Sequence, residues 1–339
     1  MDNKLTKKRL ADFFMYHWIT LICVMLAVVC VWEIVYSMFS VSLTAGQKFK
    51  YFYDENLTYI NEDGFEKIIS DSKPFSYDVI EHGYEILGAE YNVLNARLIV
   101  KDGDVIFTDN FMGEKGDKES RAKNVVDGEN VISYEKLLQS AKTYLVGFLK
   151  SEFNSLSTLE KEEKALDYDN FNENFDQTKI TQNFLARNAN DNRFRKSADK
   201  ERGAKDEIAR IKNLVKETAS FNYLLNYAPE ELFFRYTKFE QAVFFADKNV
   251  LEFHKANLKR EQENGRANVI YGLNVFALKG EKPKKEVKNY FRINEFSSSD
   301  HVVLMAFNFL SEQPDLQFET ISFINMVVRN FSNFYDEIE

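Results

Sequence analysis

The 339 residues carry 53 acidic against 44 basic side chains, a formal charge of −9, and 15% of them are aromatic, with 31 phenylalanines. Thirteen glycines and four prolines fall well below the usual frequencies of about 7% and 5%, which disfavours a turn-rich all-β sandwich or propeller. The acidic balance argues against binding nucleic acid or anionic lipid through a basic surface, so no nucleic-acid partner is expected.

The chain opens with a basic tail, residues 1–12, in which Lys4, Lys7, Lys8 and Arg9 outnumber Asp2 and Asp12. Directly behind it, residues 13–32 form a charge-free run of twenty, FFMYHWITLICVMLAVVCVW. At about 1.5 Å per residue such a run reaches about 30 Å, the thickness of a bilayer's hydrocarbon core. Trp18 and Trp32, the only tryptophans, lie toward its ends, where indoles favour the membrane–water interface. The pattern predicts a single-pass transmembrane anchor over residues 13–40 with the lipid bilayer as its partner. By the positive-inside rule the N-terminus is cytoplasmic and the C-terminal domain extracellular, at the cell membrane.

A cleaved signal peptide has similar grammar. The run is longer than a usual h-region, Leu43 and Ala45 do not make an A-x-A site, and Ser40 with Ser42 makes only a weak one. A lipoprotein start is not expected either, since Ile22 precedes Cys23 and Val29 precedes Cys30. Both cysteines lie inside the span. The body therefore has no disulfide, and at roughly 290 residues it can bury a sufficient core without one. A cysteine-free exported domain with a Lys, Asn, Phe and Tyr bias points to a bacterial cell surface, where the sequons at Asn56 and Asn330 carry no meaning.

Residues 45–110 alternate between strand and helix. Residues 48–54 read as an aromatic strand, and EDGFEKIISDS from Glu62 places Phe65, Ile68 and Ile69 at helical spacing. FSYDVIEHGYEI reads as a strand, AEYNVLNARLIV as a helix with Val93, Leu94, Leu98 and Ile99 on one face, and residues 104–110 as a short apolar strand. This order is the grammar of an open α/β layer with a largely parallel sheet.

The middle third differs. Residues 113–130 read as a charged loop, residues 134–153 as a strongly amphipathic helix, and Ser157 with Glu160 as a capping box. Residues 167–202 are polar, a mobile insertion or long exposed hairpin. Ile208, Ile211, Leu214, Val215 and Leu224 mark another helix, Pro229 opens the next, and residues 250–263 suggest one more. Buried-strand patterns return at residues 268–278 and 301–309, and a last helix runs from Leu316 to about Tyr335. The predicted organisation is a cytoplasmic tail (1–12), a transmembrane anchor (13–40), an α/β lobe made from 45–112 and 267–339, and a helical second lobe with a charged insertion (113–266).

That plan, with VLNARLIVKDGDVIFTD in the first third and the returning strands YGLNVFAL and HVVLMAFNF, resembles the type 2 periplasmic-binding, or extracellular solute-binding, family. The resemblance implies a two-lobed, helix-rich α/β domain that binds a small polar solute and works beside a transporter permease. The anchor departs from the family, whose members are usually freely exported or lipidated. The alternative is a fold without ligand binding that serves as a scaffold or accessory subunit among envelope proteins.

Catalytic grammar is sparse. No G-x-S-x-G, Walker A, G-x-G-x-x-G or H-E-x-x-H pattern occurs, and His17, His82, His254 and His301 are isolated. No enzyme activity, cofactor or metal is expected. The D-x-D pairs Asp102 with Asp104 and Asp167 with Asp169 read as helix-to-strand turn chemistry and a solvated acidic loop. If 104–109 is a parallel strand, Asp109 and Asn110 sit at its carboxyl end, as Tyr53 and Asp54 do on the first strand. Open α/β sheets bind ligands at such ends, so Tyr53, Asp54, Asp109 and Asn110 are the candidate ligand-binding residues.

Overall fold

The computed structural model describes residues 7–39, 47–54, 57–59, 61–87, 94, 96–97, 99–100, 102–110, 121–128, 130–152, 177–236, 269–278, 287–293, 302–308 and 314–336. The first unit, Met1–Thr44, contains helix α1 (Lys7–Phe39). Its stretch Phe13–Tyr36 is long and apolar enough to cross a membrane, and none of it is buried among the described residues. One such helix is compatible with a single-pass anchor or with a signal element.

The second unit, Ala45–Glu339, is built on a mixed sheet. Strand β1 (Lys48–Asp54) has the sequence KFKYFYD, whose alternation sends Phe49, Tyr51 and Tyr53 into one core cluster and Phe52 into another. Both faces of β1 are therefore covered. A short strand β2 (Leu57–Tyr59) follows, pairing outside the main sheet with β8 (Arg292–Ile293). Helix α2 (Glu62–Ser72) starts at Asn61, whose side chain accepts from the Gly64 amide at 3.0 Å, an N-cap that satisfies one orphan donor. Phe65, Ile68 and Ile69 bury its apolar face.

Strand β3 (Glu81–Leu87) pairs parallel with β1 on one side, and β4 (Val105–Asp109) pairs parallel with it on the other. Gly103, just before β4, has φ +109°, and a Cβ there would lie 1.9 Å from the Phe52 ring, so glycine is required by both backbone and space. Within the preceding segment Leu94 is buried, whereas Ile99 is exposed and is not on a buried helix face. Val93 and Leu98 fall outside the described residues.

The sheet is not largely parallel. Strand β9 (Val302–Phe307) runs antiparallel to β4, from Val105↔Ala306 to Asp109↔Val302. Strands β7 (Val269–Asn274) and β6 (Phe233–Tyr236) continue antiparallel in the order β3-β1-β4-β9-β7-β6, and β5 (Val131–Ile132) pairs with the end of β9. All six residues of β9 are buried. A continuous apolar run of that kind marks a central strand without marking its direction.

Helices α4 (Tyr134–Glu152), α6 (Ser197–Tyr227) and α7 (Pro314–Phe331) contribute Leu137, Leu145, Ile211, Phe221, Ile324 and Val328 to the same core cluster as Tyr51 and Phe107 of the sheet. The Tyr134 hydroxyl donates to the Leu304 carbonyl at 2.7 Å, tying α4 to β9. Arg329 pairs with Glu217 at 2.8 Å, and the Tyr335 hydroxyl donates to Asn325, itself bonded to Glu217, which ties α7 to α6.

Three expected features differ. Residues 121–127 form α3 (Arg121–Asp127) inside the expected loop, with Val125 and Val126 buried. The expected polar insertion holds α5 (Gln177–Arg187), a 3-10 turn (Asn192–Phe194) and the first turns of α6. Those turns were hidden because small Gly203 and Ala204, rather than large apolar residues, make the buried contacts there. Pro229 caps a 3-10 turn (Glu230–Leu232) that leads into β6. The capping box at Ser157 and the helix at 250–263 lie outside the described residues.

Candidate functional site

The parallel strands β3, β1 and β4 have two edges, and the candidate residues lie at the C-terminal one. Asp54 ends β1, while Asp109 and Asn110 end and follow β4, its neighbour. The strands thus bring three polar residues to one edge. Tyr53 lies in register with Phe107, and its ring stacks on Phe107 at 5.2 Å, meets Tyr51 and Tyr84 edge-on, and is 1% exposed. It is part of the aromatic core. Asp109 is 5% exposed and pairs in register with Val302 of β9; Asn110 is half-buried.

The larger polar assembly sits at the N-terminal edge, where residues 76–78 lead into β3. Glu207 of α6 is fully buried and takes hydrogen bonds from the Tyr77 hydroxyl (2.9 Å), Arg187 (2.6 Å) and Arg210 (2.7 and 3.0 Å). Asp78 lies 3.8 Å from Arg210 and 4.0 Å from Arg193. Burial alone would raise the Glu207 carboxyl, but the Arg210 hydrogen bonds and charge, with Tyr77 and Arg187, hold it below the ordinary glutamate value. The Tyr77 hydroxyl is pushed far up by burial and by Glu207.

Glu319 of α7 joins the same edge. It is buried, accepts from the Ser76 hydroxyl at 2.8 Å, and leaves its Oε2 with no hydrogen-bond partner among the described residues. Burial pushes its carboxyl up to about 7, against the opposing pull of Ser76 and Arg210, so both protonation states are populated near neutrality. Asp104 behaves similarly: the Lys50 amide donates to its Oδ2 at 2.7 Å, Oδ1 has no partner among the described residues, and burial raises it well above the ordinary range. Asp102, its D-x-D mate, is taken by Lys50 at 2.9 Å and Arg97 at 3.1 Å. Among the described residues no group of three or more His, Cys, Asp or Glu side chains is placed to hold a metal. His82 lies against Phe75 and 3.4 Å from Glu66; Asp167, Asp169, His254 and His301 lie outside the described residues.

The N-terminal-edge cluster can do two things. It clamps α6 and α7 to the segment before β3, and it can exchange a proton at Glu319. Its signal was present in the sequence as a carboxylate on an otherwise apolar helix stripe. Glu319 shares a face with Phe323 and Val327, and Glu207 with Ile211, Leu214 and Phe221, all buried.

A third feature is the outer edge of β3, the last strand in the sheet order. Tyr84 and Ile86, on alternate positions along it, are 36% and 52% exposed, and Ile80, just before the strand, is 48% exposed. Arg97 pairs with Glu85 of β3, and two and three residues beyond it Ile99 and Val100 are exposed as well. These apolar residues are interspersed with exposed Glu81 and His82 on a strand whose only sheet neighbour among the described residues is β1.

No family model matches the chain, and no curated protein and no solved structure matches it.

Proposed function

We propose that this chain is a membrane-anchored accessory or scaffolding subunit of a cell-envelope complex, held in the cell membrane by α1 with its N-terminus cytoplasmic and its body extracellular. The body docks a protein partner along the outer edge of β3. The observation that carries this reading is that Tyr84 and Ile86 of the edge strand β3, with Ile80 just before it, are exposed. Proteins usually blunt such edges, and an extended segment of a partner adds to them through backbone hydrogen bonds. Burial of Tyr53 in the core supports the same reading, since it removes the aromatic wall that a ligand cleft would use. A photo-crosslinking residue placed at Ile86 in intact cells yields one discrete adduct, lost when Ile80 is changed to Lys, whereas the same probe at exposed Tyr227 of α6 yields none. Equal adducts from both positions, or none from Ile86, would refute the docking edge.

A second reading rests on Asp54, Asp109 and Asn110 at the C-terminal edge of adjacent parallel strands, the place where open α/β sheets take ligands. In it the body is a two-lobed solute-binding-like domain working with a transporter permease on a small polar solute. A bound solute would raise thermal stability by mass action. Screening sugars, amino acids and short peptides tests this, and the reading fails if none stabilises the protein. The topology shared by both readings is checked by adding protease to intact cells, where digestion of the body is expected and protection contradicts it.

A further inference from the structure

The hairpin formed by α5 and α6 carries a concentration of positive charge in a chain that is acidic as a whole. Between Arg187 and Lys205 there are seven cations and three anions. Two of the anions are committed within the hairpin, Asp191 to Arg193 at 2.8 Å and Asp199 to Arg202 at 3.1 Å. Arg195, Lys196, Lys200 and Lys205 are exposed, and their side chains have no hydrogen-bond or ion-pair partner among the described residues. Lys196 is also the N-cap of the 31-residue helix α6 and makes no side-chain cap bond. A cation there adds to the positive end of the helix dipole instead of offsetting it. Asp199 in the first turn offsets part of this charge but is itself held by Arg202, so the tip keeps a net positive charge toward an external anion.

The tip is also rigidly mounted. Phe184 and Phe194 meet edge-on at 5.0 Å over Gly203, and Arg193 reaches Asp78 beside the buried Glu207 cluster. Net acidity of the whole body averages over this patch and conceals it.

We propose that the hairpin tip is a docking surface for the anionic headgroups of a lipid bilayer. This inference rests on the membrane-anchored reading: a chain held in a bilayer by its own helix meets headgroups at high effective concentration. Attraction of this kind needs no shape match, and each cation near an anionic surface contributes about 1 kcal/mol, or about fivefold in affinity. A bilayer is therefore a better fit to four scattered, unpartnered cations than an acidic protein, which would require complementary placement.

The test uses the full chain in nanodiscs of phosphatidylcholine, mixed with vesicles of either pure phosphatidylcholine or 30% phosphatidylglycerol, with binding read by co-flotation. Retention of the chain in the discs reports on the anchor independently of vesicle binding. Binding is expected only to the phosphatidylglycerol vesicles, weakening as salt rises. The triple variant Arg195→Gln, Lys196→Gln, Lys200→Gln should lower it roughly a hundredfold while leaving the thermal midpoint unchanged. Equal binding to both vesicle types, no binding to either, or binding unaffected by the triple variant overturns the proposal. Binding to polyglutamate without binding to anionic vesicles also overturns it and assigns the tip to an acidic protein.

Discussion

The two edges of the parallel half of the sheet are made from similar residue types and end up doing different things. At the C-terminal edge Asp54, Asp109 and Asn110 are brought into line by the strands, and the aromatic ring beside them, Tyr53, is spent on the core. At the N-terminal edge Ser76, Tyr77 and Asp78 meet carboxylates and guanidiniums carried in by α6 and α7, elements far away in sequence. Strand direction places residues at an edge, but helices packed across the sheet decide which edge acquires a buried charge cluster. A rule about strand ends alone therefore finds one of the two polar edges and misses the denser one.

The largest test of this contrast is Glu207→Ala. It removes the 2.7 Å carboxylate partner of Arg210, which is mostly covered, and leaves it Asp78 at 3.8 Å, and breaking a buried pair in this way costs about 3–5 kcal/mol. Asn110→Ala, at the opposite edge, is expected to cost no more than about 1 kcal/mol. Urea unfolding of the two variants side by side reads the difference, and equal losses would erase the distinction between the edges.

Gly103→Ala comes next. The substitution meets both a positive φ and the Phe52 ring, and the combined strain and overpacking should remove about 2–4 kcal/mol. A thermal midpoint within about 2 °C of the parent would show that the turn before β4 relaxes freely.

The third test is pH. The folded Glu319 carboxyl, at about 7, lies above its ordinary value of about 4.3, so between these limits the folded state holds a proton that the unfolded chain has lost. Stability from this group is thus full at the acidic end and falls as pH rises through 7. Glu207 has the opposite sign: its lowered value gives stability that is present above the ordinary carboxylate range and lost as pH falls through the folded value. Together they predict greatest stability in the ordinary carboxylate range, about pH 4–5, with a decline toward neutrality. Glu319→Gln should stabilise the protein at pH 8 by at most about 4 kcal/mol and do little at pH 4.5, as measured by unfolding across that range.

The smallest effect is at the hairpin. A Cβ on Gly203 would lie 2.5 Å from both Phe184 and Phe194, so Gly203→Ala trades overpacking of about 1–3 kcal/mol against a helix-propensity gain of about 1 kcal/mol. Hydrogen exchange of residues 180–204 should speed up while the β1 and β4 amides stay unchanged.

How far the sequence spoke depended on how local the cause was. β1, α2, α4 and α7 were legible because each carries its own period: KFKYFYD alternates, and Phe65, Ile68 and Ile69 share a helix face; β4 was legible as a short apolar run between polar turns. The start of α6 was not, because its buried contacts are made by Gly203 and Ala204. The direction of β9 was hidden by its uniform apolar run. Asp109 and Asn110 were placed correctly at a strand end, whereas the partners of Glu207 come from 20 and 130 residues away, Arg187 and Tyr77, and such pairings leave no spacing signature.

The measurement that separates the readings most directly is hydrogen exchange on the full chain in native membranes and again after purification into lipid nanodiscs free of partners. Docking along the β3 edge predicts that amides of residues 81–87 are slower in the native membrane and speed up on purification, with residues 105–110 unchanged. Protection that appears instead at residues 105–110, with the β3 amides indifferent to purification, would contradict the docking edge and return the function to the C-terminal ends of β1 and β4.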